Sequence, residues 1–395
     1  MDKLTVSSDA FPIEGKRVLL RADFNVPLKD GVITDGTRIK RTLDTINYIL
    51  GKGGSVVAFS HLGRPKGVEA KYSMEPVAAR LSELLGKPVK FVPTVTGPEA
   101  KVAADALQPG EVMLLENTRF EAGETKNDPA IAKALATLGD CFVNDAFGSS
   151  HRAHASTVGV AELARPAAAG LLVEGELKAL QQLLEAPQKG FVVILGGAKV
   201  ADKIDVIDSL LPKCEHMLVC GGMTYAFLSA QGKPIGNSIW WQESEDAARK
   251  ILDTMGDALD RLKLPTDTVM AEQITNWRFK KTVPVSFMRD GWEGLDIGPE
   301  TRAAYAEIIE NADTLFWNGP AGLFEVEPFD AGTNALAAAV AKCKGFTVIG
   351  GGDAVAAVTQ AGYADEMSHI CTGGGASLEF LEGRELPGVA VLNDA

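Results

Sequence analysis

The chain has 395 residues and a formal net charge of −13, with 39 lysines and arginines against 52 aspartates and glutamates. This length predicts two domains of ordinary size, and the acidic balance argues against a nucleic acid or an anionic membrane as partner. No run approaches the roughly 18 uninterrupted apolar residues of a membrane span, and the start lacks a signal-peptide core. The five cysteines are scattered without a metal-binding spacing. We therefore expect a cytoplasmic protein that holds any anion in a local cationic patch.

Apolar strand-like runs alternate with segments of helical periodicity through the first half of the sequence. The predicted helices cover residues 37–53, 75–86 and 128–139, with one more ending near Leu107. The predicted strands cover residues 17–24, 55–61, 89–95, 111–120 and 141–147. Such alternation with short connections predicts a parallel sheet covered by helices.

The second half repeats this pattern, with predicted strands at residues 191–197, 216–222, 314–320 and 346–352. Between the halves, apolar residues keep helical spacing from residue 173 until Pro187 ends the pattern. The sequence therefore predicts an α/β fold of two doubly wound, Rossmann-like parallel-sheet domains joined by a helix over 173–187. The two domains would comprise residues 1–172 and 188–378.

The two halves differ in the residue types at the carboxyl ends of their strands, where open parallel sheets bind ligands. Polar and cationic residues occupy these positions in the first half: Asp23, Asn25, His61, Arg64, Arg119, Asn144, Asp145, His151 and Arg152. Glycines occupy them in the second half, at 196–197, 221–222 and 350–352, and a further run occupies 373–375. The first pattern is typical of a site for a small, highly charged anion. The second is typical of close backbone approach to a larger ligand.

Each cationic turn of the first half is, by itself, typical of a solvated loop. Arg38 stands at a predicted helix start, where a cation opposes the helix dipole, and this favours a ligand-facing role. The recurrence of arginine at strand ends and helix starts favours bidentate binding of phosphate or carboxylate. A metal site at His151 and His154 is the alternative, but only Asp145 offers a further ligand nearby, so an anion cradle is favoured.

The segment "GGAKVADKIDVIDSLL" (196–211) carries the sharpest pattern of the second half. Glycines at a strand end precede a predicted helix, whose N-terminal amides favour phosphate. Lys199 and Lys203 lie four residues apart, which predicts a shared helical face and an anion between the two ammonium groups. The alternative is a pair of solvated lysines.

Two acidic residues of the second half each have two interpretations. Asp353 follows a glycine turn at a predicted helix start, where it either caps the helix or holds Mg²⁺. Glu325 ends the stretch "WNGPAGLFE" (317–325) and either accepts protons from ribose hydroxyls or is a surface residue.

Several familiar signatures are missing from the sequence. It has no G-x-x-x-x-G-K-[ST] loop, no complete G-x-G-x-x-G and no protein-kinase H-R-D or D-F-G, and "GSSHR" breaks a G-x-S-x-G elbow. Two possible functions are a nicotinamide-dependent dehydrogenase and a non-catalytic anion-binding protein. The missing dinucleotide fingerprint counts against the first, and the lysine pair counts against the second.

Seven motifs together resemble the phosphoglycerate kinase family in order and approximate spacing: "RADFNVP", "SHLGRP", "NDAFGSSHRAHAST", "GGAKVADKI", "WNGPAGLFE", "GGGDA" and "TGGGASLEFLEG". The resemblance implies an active site in a cleft between a phosphoglycerate-binding and a nucleotide-binding domain, with residues 379–395 returning to the first. The implied reaction is reversible, Mg²⁺-dependent phosphoryl transfer between 1,3-bisphosphoglycerate and ADP, giving 3-phosphoglycerate and ATP, in glycolysis or gluconeogenesis.

The resemblance also implies roles for individual residues. The phosphoglycerate would be bound by Asp23, Asn25, Arg38, His61, Leu62, Gly63, Arg64, Arg119 and Arg152. Catalytic roles would belong to Arg38, Lys199, Gly373 and Gly374. The nucleotide would be bound by Lys203, Gly221, Gly222, Pro320, Leu323, Glu325, Gly351, Gly352, Asp353 and Ala354, with Asp353 also contacting Mg²⁺. The family usually has a hydroxyl residue in place of Ala354 and a larger one in place of Ala321. Loss of the hydroxyl donor at position 354 would weaken binding of the nucleotide phosphates and affect the rate more than the type of reaction.

The chemistry of such a reaction suits these residue types. A carboxylate or phosphate oxygen is the nucleophile in either direction, so catalysis needs no general base and rests on positioning and charge stabilisation. Half-sites on two domains predict hinge closure about the 173–187 helix, which would exclude water. We expect a monomer whose partners are its small-molecule substrates.

Overall fold

The computed structural model describes residues 2–274, 277 and 279–395. The chain divides into two units, Met1–Lys178 with Glu385–Ala395 as the first and Ala179–Arg384 as the second. The boundary falls inside one helix, α6, whose bounds are given below. The predicted limits at residues 172, 187 and 378, and the division into substrate-binding and nucleotide-binding domains, stay a prediction.

The first unit is built on a six-stranded parallel sheet in the order β5-β6-β4-β1-β7-β8. The strands of this unit, including the small hairpin β2–β3, are β1 (Arg17–Ala22), β2 (Leu28–Lys29), β3 (Val32–Ile33), β4 (Ser55–Phe59), β5 (Val89–Val92), β6 (Val112–Leu115), β7 (Cys141–Asp145) and β8 (Ala167–Ala169). The helices are α1 (Thr37–Gly51), α2 (Glu75–Leu85), α3 (Pro98–Asp105), α4 (Pro129–Ala136), α5 (Val160–Leu163) and α6 (Leu171–Leu184), with α14 (Pro387–Ala390) near the C-terminus. Every residue of β4 and β7 is buried, as expected for interior strands of a parallel sheet covered on both faces.

The second unit contains another six-stranded parallel sheet, in the order β11-β10-β9-β15-β16-β17. Its strands are β9 (Phe191–Leu195), β10 (His216–Val219), β11 (Leu262–Lys263), β12 (Asp267–Ala271), β13 (Lys280–Pro284), β14 (Glu293–Ile297), β15 (Thr314–Asn318), β16 (Phe346–Gly350) and β17 (His369–Ile370). Its helices are α7 (Ile204–Leu210), α8 (Met223–Ala230), α9 (Gln242–Thr254), α10 (Pro299–Glu310), α11 (Ala331–Lys342), α12 (Gly352–Gln360) and α13 (Gly375–Leu381). The direction of strand succession reverses between β9 and β15, which makes this pair the topological switch point.

The predicted parallel-sheet α/β class is confirmed for both units, and the predicted strands and helices lie within a few residues of the observed ones. The second unit also contains a three-stranded antiparallel sheet, β13-β12-β14, that the sequence analysis did not predict. Its edge strand β13 is mostly exposed and begins with two lysines, so it lacks the apolar run by which the other strands were recognised.

The C-terminal segment forms hydrogen bonds with the first unit. Leu4 N donates to Asn393 O at 2.8 Å, and Asn393 N donates to Ala167 O at 2.9 Å beside the edge strand β8. Gly388 N donates to Ser150 O at 2.8 Å, in the turn that follows β7. These bonds tie residues that are distant in sequence to the edge of the first sheet. Within the described residues, every helix is too short or too polar to span a lipid bilayer.

Candidate functional site

The first unit gathers cations at the carboxyl ends of its strands. Asp23 follows β1, His61 follows β4, Arg119 lies in a 3₁₀ turn after β6, and Arg152 follows β7. Arg38 lies in the first turn of α1, where it faces the same edge. Because parallel strands end at one edge of a sheet, residues from four separate motifs are brought to one region.

Side-chain hydrogen bonds fix the turns that carry these cations. Arg38 Nη1 donates to Asp23 Oδ2 at 2.8 Å, although 43% of the Arg38 side chain stays exposed. Gly63 N donates to Asn25 Oδ1 at 2.8 Å, which links the turn after β4 to the turn after β1. Arg119 Nη1 in turn donates to Gly63 O at 2.5 Å. Asp23 and Asn25 thus position neighbouring groups.

A cavity of about 880 Å³ opens among these turns. Of the predicted residues, Arg64, Arg119 and Arg152 line it, together with Lys66 and His154. The buried Arg119 Nε has no hydrogen-bond partner among the described residues, which is costly unless a ligand supplies one. The other predicted phosphoglycerate contacts, Asp23, Asn25, Arg38, His61, Leu62 and Gly63, lie beside this cavity and do not line it.

Two histidines of this region, His61 and His154, have lowered pKa values, so the positive charge comes mainly from arginine and lysine. Burial, and then the nearby Arg21 and Arg119, hold the pKa of His61 well below its usual value. The same causes lower the pKa of His154 to about 4. His151 Nε2 accepts a hydrogen bond from Arg152 Nε at 3.0 Å. No group of three metal-binding side chains among the described residues includes His151 or His154.

Three buried polar residues beneath the cationic turns were missed by the sequence analysis. Arg21 is fully buried in β1, and Ser156 and Glu124 are buried in turns that pack against it. The available signal was an arginine inside the otherwise apolar strand "RVLLRADF". A charge inside a buried strand needs a partner, and the partner here is more than 100 residues away in sequence.

The second unit has a narrower cavity, of about 440 Å³, at the carboxyl ends of its strands. It is lined by the glycine turns after β9, β10 and β15, by apolar side chains that include Tyr225 and Leu295, and by five carboxylates: Asp267, Glu293, Asp296, Glu325 and Asp353. Six predicted nucleotide contacts line it: Gly221, Gly222, Pro320, Leu323, Glu325 and Asp353. Seven other predicted residues do not: Lys199, Lys203, Gly351, Gly352, Ala354, Gly373 and Gly374.

Glycines at this edge let neighbouring turns touch each other. A Cβ on Gly196 would lie 2.1 Å from Pro320 O, and one on Gly221 would lie 2.8 Å from Gly197 N. Gly197 N donates to Pro320 O at 3.1 Å and Gly221 N donates to Ala321 O at 2.9 Å. From the sequence, these glycines are predicted only as positions of close backbone approach to a ligand. At Gly196 and Gly221, contact between turns already requires glycine, whatever ligand binds.

The prediction that Lys199 and Lys203 share a helical face is wrong. Residues Ala201–Lys203 form a 3₁₀ turn and α7 begins only at Ile204, so Lys199 precedes any helix. Lys199 Nζ lies 3.3 Å from Glu243 Oε1 and 4.9 Å from the centre of the Trp241 ring. Lys199 is therefore held by α9 and the residue before it.

Lys203 points to the switch point between β9 and β15. Its Nζ donates to Gly196 O at 2.5 Å, to Asn318 Oδ1 at 2.6 Å and to Asn318 O at 3.1 Å. These three acceptors match the three protons of an ammonium group. Burial lowers the pKa of Lys203 to about 8. The lysine holds the two central glycine turns together.

The start of α12 supplies one exposed carboxylate and one buried methyl group. Asp353 lies in the first turn of the helix, is exposed and lines the cavity. Ala354, the next residue, is fully buried in the core of the second unit. An alanine here therefore packs against apolar neighbours, whereas a hydroxyl would need a buried partner.

Comparisons with known proteins agree with this arrangement. Residues 8–384 match the family model described as phosphoglycerate kinase. The chain is 55% identical over 384 residues to the phosphoglycerate kinase of Roseiflexus castenholzii, covering 96% of this chain and 97% of the relative. It is 51% identical over 396 residues to that of Herpetosiphon aurantiacus, covering 100% of both chains. The solved structure of phosphoglycerate kinase from Coxiella burnetii superposes with a TM-score of 0.90 at 40% identity, covering 98% of each chain.

Proposed function

The chain belongs to the phosphoglycerate kinase family, and we propose that the two cavities described above belong to the binding sites of its two substrates. The protein is a phosphoglycerate kinase, which transfers a phosphoryl group reversibly between 1,3-bisphosphoglycerate and ADP to give 3-phosphoglycerate and ATP, a step of glycolysis. We assign the phosphoglycerate to the first unit and the nucleotide to the second.

The cationic edge of the first unit is the observation that carries this assignment. Arg64, Arg119 and Arg152 line one cavity, and a guanidinium fork suits the oxygens of a phosphate that stays on the substrate. The unpartnered Arg119 Nε supplies a donor that a bound phosphate oxygen would satisfy. A small, multiply charged anion therefore fits this cavity better than a nucleoside does.

The cavity of the second unit suits a flat, largely apolar base. Gly221, Gly222, Pro320 and Leu323 line it without charge, and the exposed Glu325 at its rim can accept from ribose hydroxyls. The nucleotide phosphates would then extend toward the glycine turns after β9 and β16. Predicted contacts with Gly351, Gly352 and Ala354 stay a prediction.

Asp353 is the proposed contact for Mg²⁺. Its carboxylate is exposed at the mouth of the nucleotide cavity, and Mg²⁺ is commonly bound by one or two carboxylates together with phosphate oxygens and water. The donor set therefore fits. When bound, the ion would neutralise charge on the nucleotide phosphates.

We propose that the protein accelerates transfer by positioning and by charge stabilisation. The attacking oxygen belongs to a carboxylate or a phosphate, so no side chain has to remove a proton. Arg38 and Lys199 are the proposed cations beside the transferred group, and the amides of Gly373 and Gly374 are proposed further donors. Direct transfer requires the two substrates to meet, and closure about α6 stays a prediction that scattering with both substrates bound would test.

A cytoplasmic location and a monomeric state are also proposals. None of the five cysteines, all of them in the described part of the chain, forms a disulfide, and four of them are buried, as a reducing compartment allows.

Substitution of Arg38 by alanine tests the assignment in an assay of ATP-dependent consumption of 3-phosphoglycerate. We expect kcat to fall about 100-fold or more, because a cation beside the transferred group is lost, while KM for ATP changes less than about twofold. Arg80→Ala is the matched control, since the Arg80 side chain is 40% exposed and its Nη1 pairs with Glu83 Oε2 at 2.7 Å. A rise in KM for ATP with unchanged kcat would contradict this role and assign Arg38 to nucleotide binding.

A further inference from the structure

A fully buried arginine lies beneath the phosphoglycerate site. Arg21 is the fifth residue of β1 and has no exposed surface, yet none of the proposed substrate contacts includes it. Burying a guanidinium without a counter-charge is strongly unfavourable, so the surrounding groups have to compensate it. They do so through a short chain of hydrogen bonds, which also reaches the substrate side.

On one side, Arg21 is connected to a buried carboxylate through a serine. Arg21 Nε donates to Ser156 Oγ at 2.9 Å. The Ser156 hydroxyl donates to Glu124 Oε1, and Ser156 N donates to Glu124 Oε2 at 3.0 Å. Glu124 is 1% exposed, and its charge is the largest one that favours the protonated form of Arg21. The three residues come from separate elements, so the native packing holds this chain in place.

On the other side, Arg21 reaches His61. Arg21 Nη2 lies 3.1 Å from His61 Nδ1. Arginine has donors only, so Nδ1 has to accept this hydrogen bond, and a neutral imidazole then carries its proton on Nε2. Within the described part of the chain, no hydrogen bond reaches His61 Nε2. That N–H is available to a ligand.

We propose that Arg21, Ser156 and Glu124 are positioning residues that hold His61 as the neutral tautomer protonated on Nε2, which then donates a hydrogen bond to an oxygen of the bound phosphoglycerate. The proposal rests on the proposed function for its ligand, but the tautomer itself does not. His61 is thereby a donor without a charge, in a site where arginines supply the charge.

The charged groups around His61 also favour the neutral form of its ring. The cationic or titratable groups that face it are Arg21 from β1, Arg38 from α1, Arg119 from the turn after β6 and His154 after β7. The three arginines disfavour a second proton on the ring, in addition to the effect of burial, whereas His154, with a pKa of about 4, is itself neutral near pH 7. We therefore expect phosphoglycerate binding to be independent of His61 titration between about pH 5 and pH 8.

Nitrogen-15 spectra of the histidine rings in the full chain test the tautomer directly. The sequence contains only five histidines, and loss of a signal in His61→Gln assigns the one of interest. We expect an unprotonated Nδ1 and a protonated Nε2 from about pH 5 to pH 8. A proton on Nδ1, or a doubly protonated ring at neutral pH, would overturn the proposal, whether or not 3-phosphoglycerate is the ligand.

Ser156→Ala tests the connection. We expect mixed tautomers or protonation of His61 at a higher pH, and an about tenfold rise in KM for 3-phosphoglycerate with little change in KM for ATP. Ser150→Ala is the matched control: Ser150 is equally buried in the same loop, but its hydroxyl bonds to Asn144 and to Ala146 O.

An unchanged tautomer and unchanged KM in Ser156→Ala would refute the role of the serine. A changed tautomer with unchanged KM would refute only the donor role of His61 toward the phosphoglycerate. Should Ser156→Ala not fold, the spectrum of the unmodified chain still decides the tautomer.

Discussion

The two units use the same edge of the same kind of sheet in opposite ways. In the first unit, strand ends present long cationic side chains, and three arginines line one cavity. In the second unit, strand ends are glycines whose backbones touch one another, and the cavity is lined mainly by uncharged groups. The architecture therefore supplies only the place for a ligand. The residues that follow each strand decide whether charge or shape is recognised.

The units also differ in how their cations are supported. In the first unit, the cationic turns pack over the buried guanidinium of Arg21 and the buried carboxylate of Glu124. The two lysines of the second unit each have protein partners, Lys203 at the glycine turns and Lys199 at Trp241 and Glu243. Cations of both units bond to protein groups, but three arginines of the first unit also line its cavity, whereas Lys199 and Lys203 do not line that of the second.

The largest expected effect tests whether glycine in the second unit is required by contact between turns. Gly196→Ala should lower the free energy of unfolding by about 3 kcal/mol or more, because its Cβ would lie 2.1 Å from Pro320 O. Gly352→Ala is the control, since a Cβ there meets open space. Equal stability of the two variants in urea unfolding would show that contact between the turns does not require glycine at position 196.

A second test uses the buried aspartates, one in each unit. Burial raises the pKa of Asp145 to about 7 and that of Asp296 to about 7, against 3.8 for an ordinary aspartate. Between about pH 4 and about pH 7, each of these aspartates keeps its proton in the folded state but has lost it in the unfolded chain. The free energy of unfolding should therefore fall as the pH rises from about 4 to about 7.

Substitution by asparagine should have opposite effects on stability at these two positions. Asp145 Oδ2 has no partner among the described residues. Asp145→Asn should therefore remove the contribution of Asp145 to the fall of stability with pH, and it should raise the free energy of unfolding at pH 7 by about 2 kcal/mol. Asp296 accepts from Gly332 N at 2.7 Å and Ile297 N at 2.9 Å, so Asp296→Asn should destabilise at every pH. Unfolding measured at several pH values checks both, and an unchanged slope in Asp145→Asn would contradict the first.

The third test concerns charge recognition in the first unit. Arg119→Ala should raise KM for 3-phosphoglycerate about 30-fold, equivalent to about 2 kcal/mol, because a charge-assisted contact is lost. KM for ATP should stay unchanged, since Arg119 lines the cavity of the first unit and not that of the second. Steady-state kinetics with each substrate varied in turn will check this. A similar rise in both KM values would contradict the assignment of phosphoglycerate to the first unit and of nucleotide to the second.

The smallest expected effect concerns the contacts of Lys199. Trp241→Leu should raise kcat/KM for ATP about threefold, because an exposed cation–π contact contributes about 0.5–1 kcal/mol and its loss frees the lysine. Trp240→Leu is the matched control, since Trp240 Nε1 donates to Glu245 at 2.9 Å and not to any group of Lys199. If both variants lower kcat/KM equally, the tryptophans serve only to pack this surface.

The sequence alone determined the class of fold and indicated some of the residues that line the two cavities. Continuous apolar runs and helical periodicity are local patterns, and parallel strands place their ends at one edge wherever the sheet forms. For that reason, Arg64, Arg119 and Arg152 could be assigned to one site from their positions after strands, and Gly221, Gly222 and Asp353 to another.

Only the tertiary structure decided which partner each polar group has. The prediction for Lys199 and Lys203 failed because the helix begins several residues beyond the glycine turn and the protein supplies other acceptors. The network of Arg21, Ser156 and Glu124 joins residues more than 100 positions apart, and it fixes the side of the His61 ring that carries the proton. Local patterns carry information on periodicity and burial, whereas hydrogen bonds between distant residues depend on distances that exist only once the chain has folded.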